Sequence, residues 1–334
     1  GPGVAWADVD GDGREELLVP GGRAGRLAVL KQEDGGFRDL AAPGTVNARA
    51  QSLLALPGTD GARLLVAHAS LADGRTNATA LDLRDAAGRV LTNLLADSSS
   101  SPGALALGDV DGDGVPDLFV GGRVIPGRFP EAADSRLLRG VVDGFVAMPA
   151  WDEALRRVGL VTSALFTDLT GDGRPELVLA CDWGPLRVFR FEAGRLNPWN
   201  PDLRGPSETR NSKLETLHGL WLGLAAGDFD GDGRLDLVAG SWGRNTRFQE
   251  SLAQPLRVAY ADFDGNGIVE LIEAVFDPVA GRHIAWRDHE TLTQALPFLI
   301  ERAPTFAALG RTDVRDLLGG RAEVAQLALA LPSR

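Results

Sequence analysis

The sequence predicts an all-β fold built from a repeated unit, and three observations carry that prediction. Turn-forming residues are dense, with 42 glycines and 19 prolines in 334 residues. Chains of many short strands need that punctuation, whereas helical chains do not. The apolar runs are short and bounded by glycine, as in DLFVGG from Asp117, which suits buried strands. One nine-residue pattern also returns five times, as repeat architectures require.

The five copies read AWADVDGDGREELLV from Ala5, LGDVDGDGVPDLFV from Leu107, FTDLTGDGRPELVLA from Phe166, AGDFDGDGRLDLVAG from Ala226 and YADFDGNGIVELIEA from Tyr260. Their first aspartates are Asp8, Asp109, Asp168, Asp228 and Asp262, at intervals of 101, 59, 60 and 34 residues. The long first interval has room for a degenerate copy, SLLALPGTDGARLLVAH from Ser52, which keeps the apolar–turn–apolar shape without the acids. Units of this length suit a propeller blade or a similar array. Within a unit the local reading is strand–loop–strand, with glycine supplying the positive-φ turns. LRVFRFEAGRL from Leu186 adds a hairpin turning at Gly194.

Positions one, three and five of each loop carry oxygen side chains, and position nine is always an acid. Loop one has Asp8, Asp10, Asp12 and Glu16, and loop two Asp109, Asp111, Asp113 and Asp117. Loop three has Asp168, Thr170, Asp172 and Glu176, and loop four Asp228, Asp230, Asp232 and Asp236. Loop five has Asp262, Asp264, Asn266 and Glu270. Alternating oxygens converge when the backbone curls round a cation, and glycine at position six (Gly13, Gly114, Gly173, Gly233, Gly267) permits the curl. Hard oxygens without His or Cys favour Ca²⁺ over zinc or copper. These acids number 18 against a net charge of −12, so the acidity of the chain resides in the loops. Carboxylates packed so closely repel unless a cation lies between them. The pattern ranks loops one, two and four as complete and loop three last, because Thr170 replaces an acid. Loop five alone also fits an EF-hand, with Glu273 at position twelve, although LRVAY before it reads as a strand.

The rest of the composition narrows the function. The negative charge argues against a nucleic-acid partner, which calls for a basic surface. The single cysteine, Cys181, excludes an intrachain disulfide and reads as a buried small hydrophobe. No apolar run has the roughly 18 residues of a membrane span. The opening Gly-Pro-Gly reads as a trimmed fragment.

The D-x-D-G-D-G-x-x-D/E-L pattern resembles the FG-GAP/VCBS repeat of integrin-α-type β-propellers. The turns after the loops, at Gly21-Gly22, Gly121-Gly122, Asp182-Trp183-Gly184 and Ser241-Trp242-Gly243, lie where that family has its characteristic turn. The resemblance implies four-stranded blades round an axis, about seven when complete, with calcium in a loop joining two strands of a blade. It adds the backbone carbonyls of Arg14, Val115, Arg174, Arg234 and Ile268 to the ligands. SWGRNTRFQ from Ser241, the loop-five copy and the segment from Arg287 are similar to bacterial VCBS-repeat proteins of the ASPIC/UnbV (CRTAC-like) group. Six units, one degenerate, fall short of seven blades.

The expected organisation is a run of blades over 1–286 and a helical insertion or extension over 287–331. In the latter, Leu292, Leu296 and Leu299 recur at helical spacing, Pro304 breaks the run, and VRDLLGGRAEVAQLALAL reads as further helix. No nucleophile elbow, P-loop, dinucleotide fingerprint or zincin motif is present, so a non-enzymatic module is expected. Trp183 and Trp242 stand in the post-loop turns as candidates for stacking on a partner. The reading is a calcium-binding module that is secreted, periplasmic or on the cell surface and acts in adhesion or interaction with a protein or glycan. The alternatives are an extracellular hydrolase or lyase with a site near His218 or Arg244, and a purely structural repeat.

Overall fold

The structure is a computed structural model that describes residues 3–20, 27–40, 50–56, 61–68, 80–95, 98–201, 217–242 and 254–330, with residues 328–330 described by their backbone alone. Gly21, Gly22, Gly243 and Arg244, named above, lie outside the described residues.

The described strands form five sheets. The first holds β1 (Ala5–Ala7), β2 (Glu16–Val19), β3 (Ala28–Glu33) and β4 (Gly36–Asp39) in simple antiparallel order. The second holds β5 (Ala50–Leu56), β6 (Arg63–His68), β7 (Leu81–Arg84) and β8 (Val90–Leu95). It contains the degenerate copy, which has kept its four-stranded sheet without the acids. The third holds β9 (Ser101–Gly108), β10 (Asp117–Val124), β11 (Arg136–Val141) and β12 (Gly144–Ala147). The fourth holds β13 (Leu160–Thr167), β14 (Glu176–Pro185), β15 (Arg187–Glu192) and β16 (Arg195–Trp199). The far end of β14 also pairs with β17 (His218–Gly227), which pairs with β18 (Asp236–Ser241). The fifth sheet runs β21-β20-β19-β22, from β19 (Leu256–Ala261), β20 (Glu270–Asp277), β21 (Arg282–Ala285) and β22 (Gln326–Ala330).

Successive sheets pack face to face. Val66 and Leu64 meet Leu18 and Val29 of the first sheet; Leu65 and Leu83 meet Leu118 and Leu138 of the third. Phe119 and Leu137 meet Leu177 and Cys181 of the fourth. A strand buried on both faces reads as an unbroken apolar run, which is why β10 and β14 lack alternation. The outer strand β4 is exposed along its whole length. The first strands β1, β5, β9, β13 and β17 neighbour one another in chain order, so the loops that follow them are carried at equivalent places.

The β15–β16 hairpin turns through Ala193 (φ 52°) and Gly194 (φ 77°), both positive as a type I′ turn requires. The sites read as turns after loops two and three are instead bulges within long second strands. Register shifts at Gly122 in β10 and between Asp182 and Gly184 in β14. At Gly122 the Asp134 carbonyl oxygen passes 2.1 Å from where a Cβ would stand, so glycine there permits a close backbone approach.

The C-terminal segment forms four short helices, α1 (His289–Ala295), α2 (Leu299–Arg302), α3 (Phe306–Leu309) and α4 (Val314–Leu318), capped by Asp288, Thr305 and Asp313 at α1, α3 and α4. Leu292, Leu296 and Leu299 do face the core, against Ile272 and Ala274. The reading of helix to residue 331 fails at its end. Gln326–Ala330 is strand β22, because the inner edge of β19 offers unpaired backbone groups that this segment satisfies.

Candidate metal centre

Each of the five motifs joins two antiparallel strands that are consecutive in the chain: β1–β2, β9–β10, β13–β14, β17–β18 and β19–β20. Strands on both sides of loop five remove the EF-hand reading. Glu273 lies inside β20, and Arg287 holds both of its carboxylate oxygens.

The loops share one set of hydrogen bonds. In loop one, Asp8 Oδ1 accepts from the N–H groups of Gly11 (2.7 Å) and Asp12 (3.1 Å), and its Oδ2 accepts from Gly13 (2.9 Å). Asp109, Asp168, Asp228 and Asp262 do the same in their loops. Position five accepts from the N–H of position seven, at Asp12, Asp113, Asp172, Asp232 and Asn266. The N–H of Gly173, more than any other group, holds the Asp168 carboxyl below its ordinary value. The glycines at positions four and six all have positive φ, such as Gly13 at 84°.

Position nine ties the loop to the sheet. Glu16, Asp117, Glu176, Asp236 and Glu270 are the first residues of their strands, and each accepts the N–H of position two. Glu16 and Asp117 are fully buried, and Glu176 nearly so. Burial pushes the Asp117 and Glu176 carboxyls above their ordinary range.

Positions one, three and nine converge. Carboxylate oxygens lie within 4.8 Å of one another in Asp8–Asp10–Glu16, Asp109–Asp111–Asp117, Asp228–Asp230–Asp236 and Asp262–Asp264–Glu270. Position five stands outside these triplets, and loop three forms none. Thr170 Oγ instead bonds Asp168 and Glu176 at 3.4 and 3.5 Å. A direct sign that the residues fit a cation is Glu16 Oε1, which is buried and has no hydrogen-bond partner.

Sequence reasoning missed the basic side chains beside the loops. Lys31 Nζ donates to both Asp10 and Asp12 and stands 3.8 Å from Glu16 Oε1. Arg139 donates to Asp111 (2.8 Å) and Asp113 (2.7 Å). Arg190 Nε lies 3.2 Å from Glu176 Oε1 and its guanidinium stacks on Trp199. The Lys31 hydrogen bond, followed by the Arg14 N–H, lowers the Asp12 carboxyl. No motif marks these residues. Only the β2–β3 type of register brings them to the loop.

The other candidates disperse. Trp242 is about half exposed, whereas Trp183 packs against Val258 and Tyr260. His218 is half-buried opposite Pro185, its titration shifted down by burial and by Arg187. Cys181 is buried, and burial pushes its thiol up to about 12. A cavity of about 330 Å³ lies between the fifth sheet and α4, where Arg257 Nε and His283 Nε2 lack partners. Ordered water satisfies such groups in a space of this size. Among the described residues no helix is long and apolar enough to cross a membrane.

The FG-GAP-like repeat family matches residues 168–239, which contain loops three and four. No curated protein matches the chain. A gluconolactonase from Xanthomonas campestris is similar in structure at 13% identity and a TM-score of 0.38, over 67% of this chain and 66% of that one. BBS1N, solved in complex with ARL6DN, is similar at 15% identity and a TM-score of 0.38, over 71% of this chain and 57% of that one. The matched part of this chain spans less than two thirds of the length of either structure.

Proposed function

We propose that this chain is a calcium-stabilised β-propeller, of about seven blades when complete, acting outside the cytoplasm as a binding or adhesion module. One observation carries the reading: four separate loops each converge three carboxylates at the same point of a sheet. The ion would be held by positions one, three, five and nine, with the carbonyl of position seven added by the family resemblance. When bound, it would supply positive charge that offsets carboxylate repulsion. The chain's own residues set the turn, with position one closing the backbone and position nine anchoring it to the sheet. Millimolar extracellular calcium suits sites of modest affinity, which supports a secreted, periplasmic or cell-surface location. Kinship to the ASPIC/UnbV group and to integrin-α propellers belongs to the same proposal.

Thermal unfolding of the whole chain in EDTA and in calcium tests it. A site at a hundred times its dissociation constant adds about 2.7 kcal/mol, so calcium is expected to raise the melting temperature by several degrees. An unchanged melt after thorough chelation rejects the role. For the partner, Trp242 is the better stacking candidate, since Trp183 is packed away. Binding to a glycan array that survives Trp242→Ala unchanged removes the tryptophan from that surface.

A further inference from the structure

We propose that the third strand of a sheet sets how readily its loop takes calcium, by carrying a tethered cation into the acid cluster. The inference rests on the calcium reading above. In the first sheet the last cross-strand pair of β2 and β3 is Leu17–Leu30, and the next residues outward are Glu16 and Lys31. In the third sheet the pair Leu118–Leu138 places Asp117 and Arg139 at the same point. In the fourth, Leu177–Phe189 places Glu176 and Arg190 there. Three sheets therefore bring a basic side chain to one structural position, and in each it contacts carboxylates of the loop.

The fifth sheet breaks the rule. Its β20–β21 pairing ends at Ala274–Ala285, and the chain leaves for α1 before reaching the equivalent point. Among the described residues no basic side chain pairs with Asp262, Asp264 or Glu270. Arg287 is taken by Glu273, and Arg128 is held by Glu131 and reaches Asp262 only through space. Beyond β18 in loop four's sheet, residues 243–253 lie outside the described residues.

The ammonium of Lys31 touches two acids and stands near a third, and its side chain is only 16% exposed. A divalent ion entering loop one must push this charge aside or tolerate it nearby, and either lowers its affinity. Arg139 imposes the same cost on loop two, from a more exposed position. Loop five has no such competitor at its acids, since Arg321 Nε meets the loop only at the Phe263 carbonyl oxygen (3.4 Å), and it becomes the tightest of the three. This order differs from a ranking by acid count, which puts loop five behind loops one and two.

Calcium titration calorimetry on the chelator-stripped full chain tests the inference. Lys31→Met and Arg139→Met should each strengthen one calcium equivalent by about tenfold or more. Lys31→Arg, which keeps the charge, should leave the wild-type isotherm in place. Glu270→Gln should abolish the tightest wild-type equivalent. Lys31→Gln serves as a second neutral variant if Lys31→Met fails to fold, judged by circular dichroism. If calcium binds but the neutral variants leave affinity unchanged or weaker, the tethered-cation inference falls and the calcium reading stands. If no variant and no wild-type loop binds calcium, both fall together.

Discussion

Replacing Asp117 with alanine separates the structural role of position nine from any role in metal binding. Asp117 is fully buried, and its two oxygens accept the N–H groups of Val110 (2.9 Å) and Gly140 (2.8 Å). It therefore joins the loop, the start of β10 and the neighbouring strand β11. Truncation leaves two buried amide groups unpaired, each costing about 1–3 kcal/mol. The chain has little room to relax, since the Pro116 carbonyl oxygen lies 2.2 Å from where a Cβ on Gly140 would stand. Part of the loss is offset, because burial already disfavours the Asp117 carboxylate. The expected net loss is about 2–4 kcal/mol. Urea unfolding in excess EDTA, read from the midpoint at constant slope, measures it without a metal contribution. A change below about 0.5 kcal/mol in EDTA would refute the reasoning, and a loss seen only with calcium would assign Asp117 to the metal alone.

Three further outcomes follow from other parts of the molecule. In the second sheet, which lacks the acidic loop, Asp82 is clasped by Arg84 Nε and Nη2 (2.7 and 2.8 Å) and by His68 (2.8 Å). Burial alone would raise this carboxyl, but the His68 and Arg84 contacts outweigh it and hold it low. A depressed carboxyl stabilises above its unfolded value of about 3.9, and the contribution fades as pH falls through the folded value. Asp82→Ala should therefore cost about 3–5 kcal/mol at neutral pH and progressively less below about pH 4 in urea titrations. Gly13→Ala, at φ 84° in open space, should cost about 1–2 kcal/mol, whereas Gly122→Ala collides with a backbone oxygen and should cost about 3 kcal/mol or more. Equal melting temperatures for the two would contradict the bulge reading. Cys181, fully buried with its thiol pushed up to about 12, should resist thiol reagents in the native protein and react on unfolding.

The loops were legible in the sequence because their ligands lie within nine residues and their geometry is local. Asp8 meets Gly11, Asp12 and Gly13 through hydrogen bonds that span three to five residues. The strand–loop–strand unit and the degenerate copy were legible for the same reason. Lys31 and Arg139 were not, because they reach Asp10 and Asp111 from 21 and 28 residues away through strand register. The Gly122 bulge looked like a turn because glycine serves both, and only the neighbouring Asp134 carbonyl distinguishes them. β22 looked helical because Leu and Ala suit helices. Its strand form is set by the open edge of β19, a tertiary fact outside the local pattern.

The placement of β22 has a consequence for how the chain tolerates being cut. The helices leave the fifth sheet after β21 and return to it at β22, on the far side of β19. A protease nick at the exposed Pro304–Phe306 stretch would thus fall inside an excursion whose two ends are held by one sheet. The severed pieces would stay associated through the β19–β22 ladder and the helix–sheet core, and would separate only in denaturant. This region is accordingly a natural break point for building a split form of the protein from two separately expressed halves.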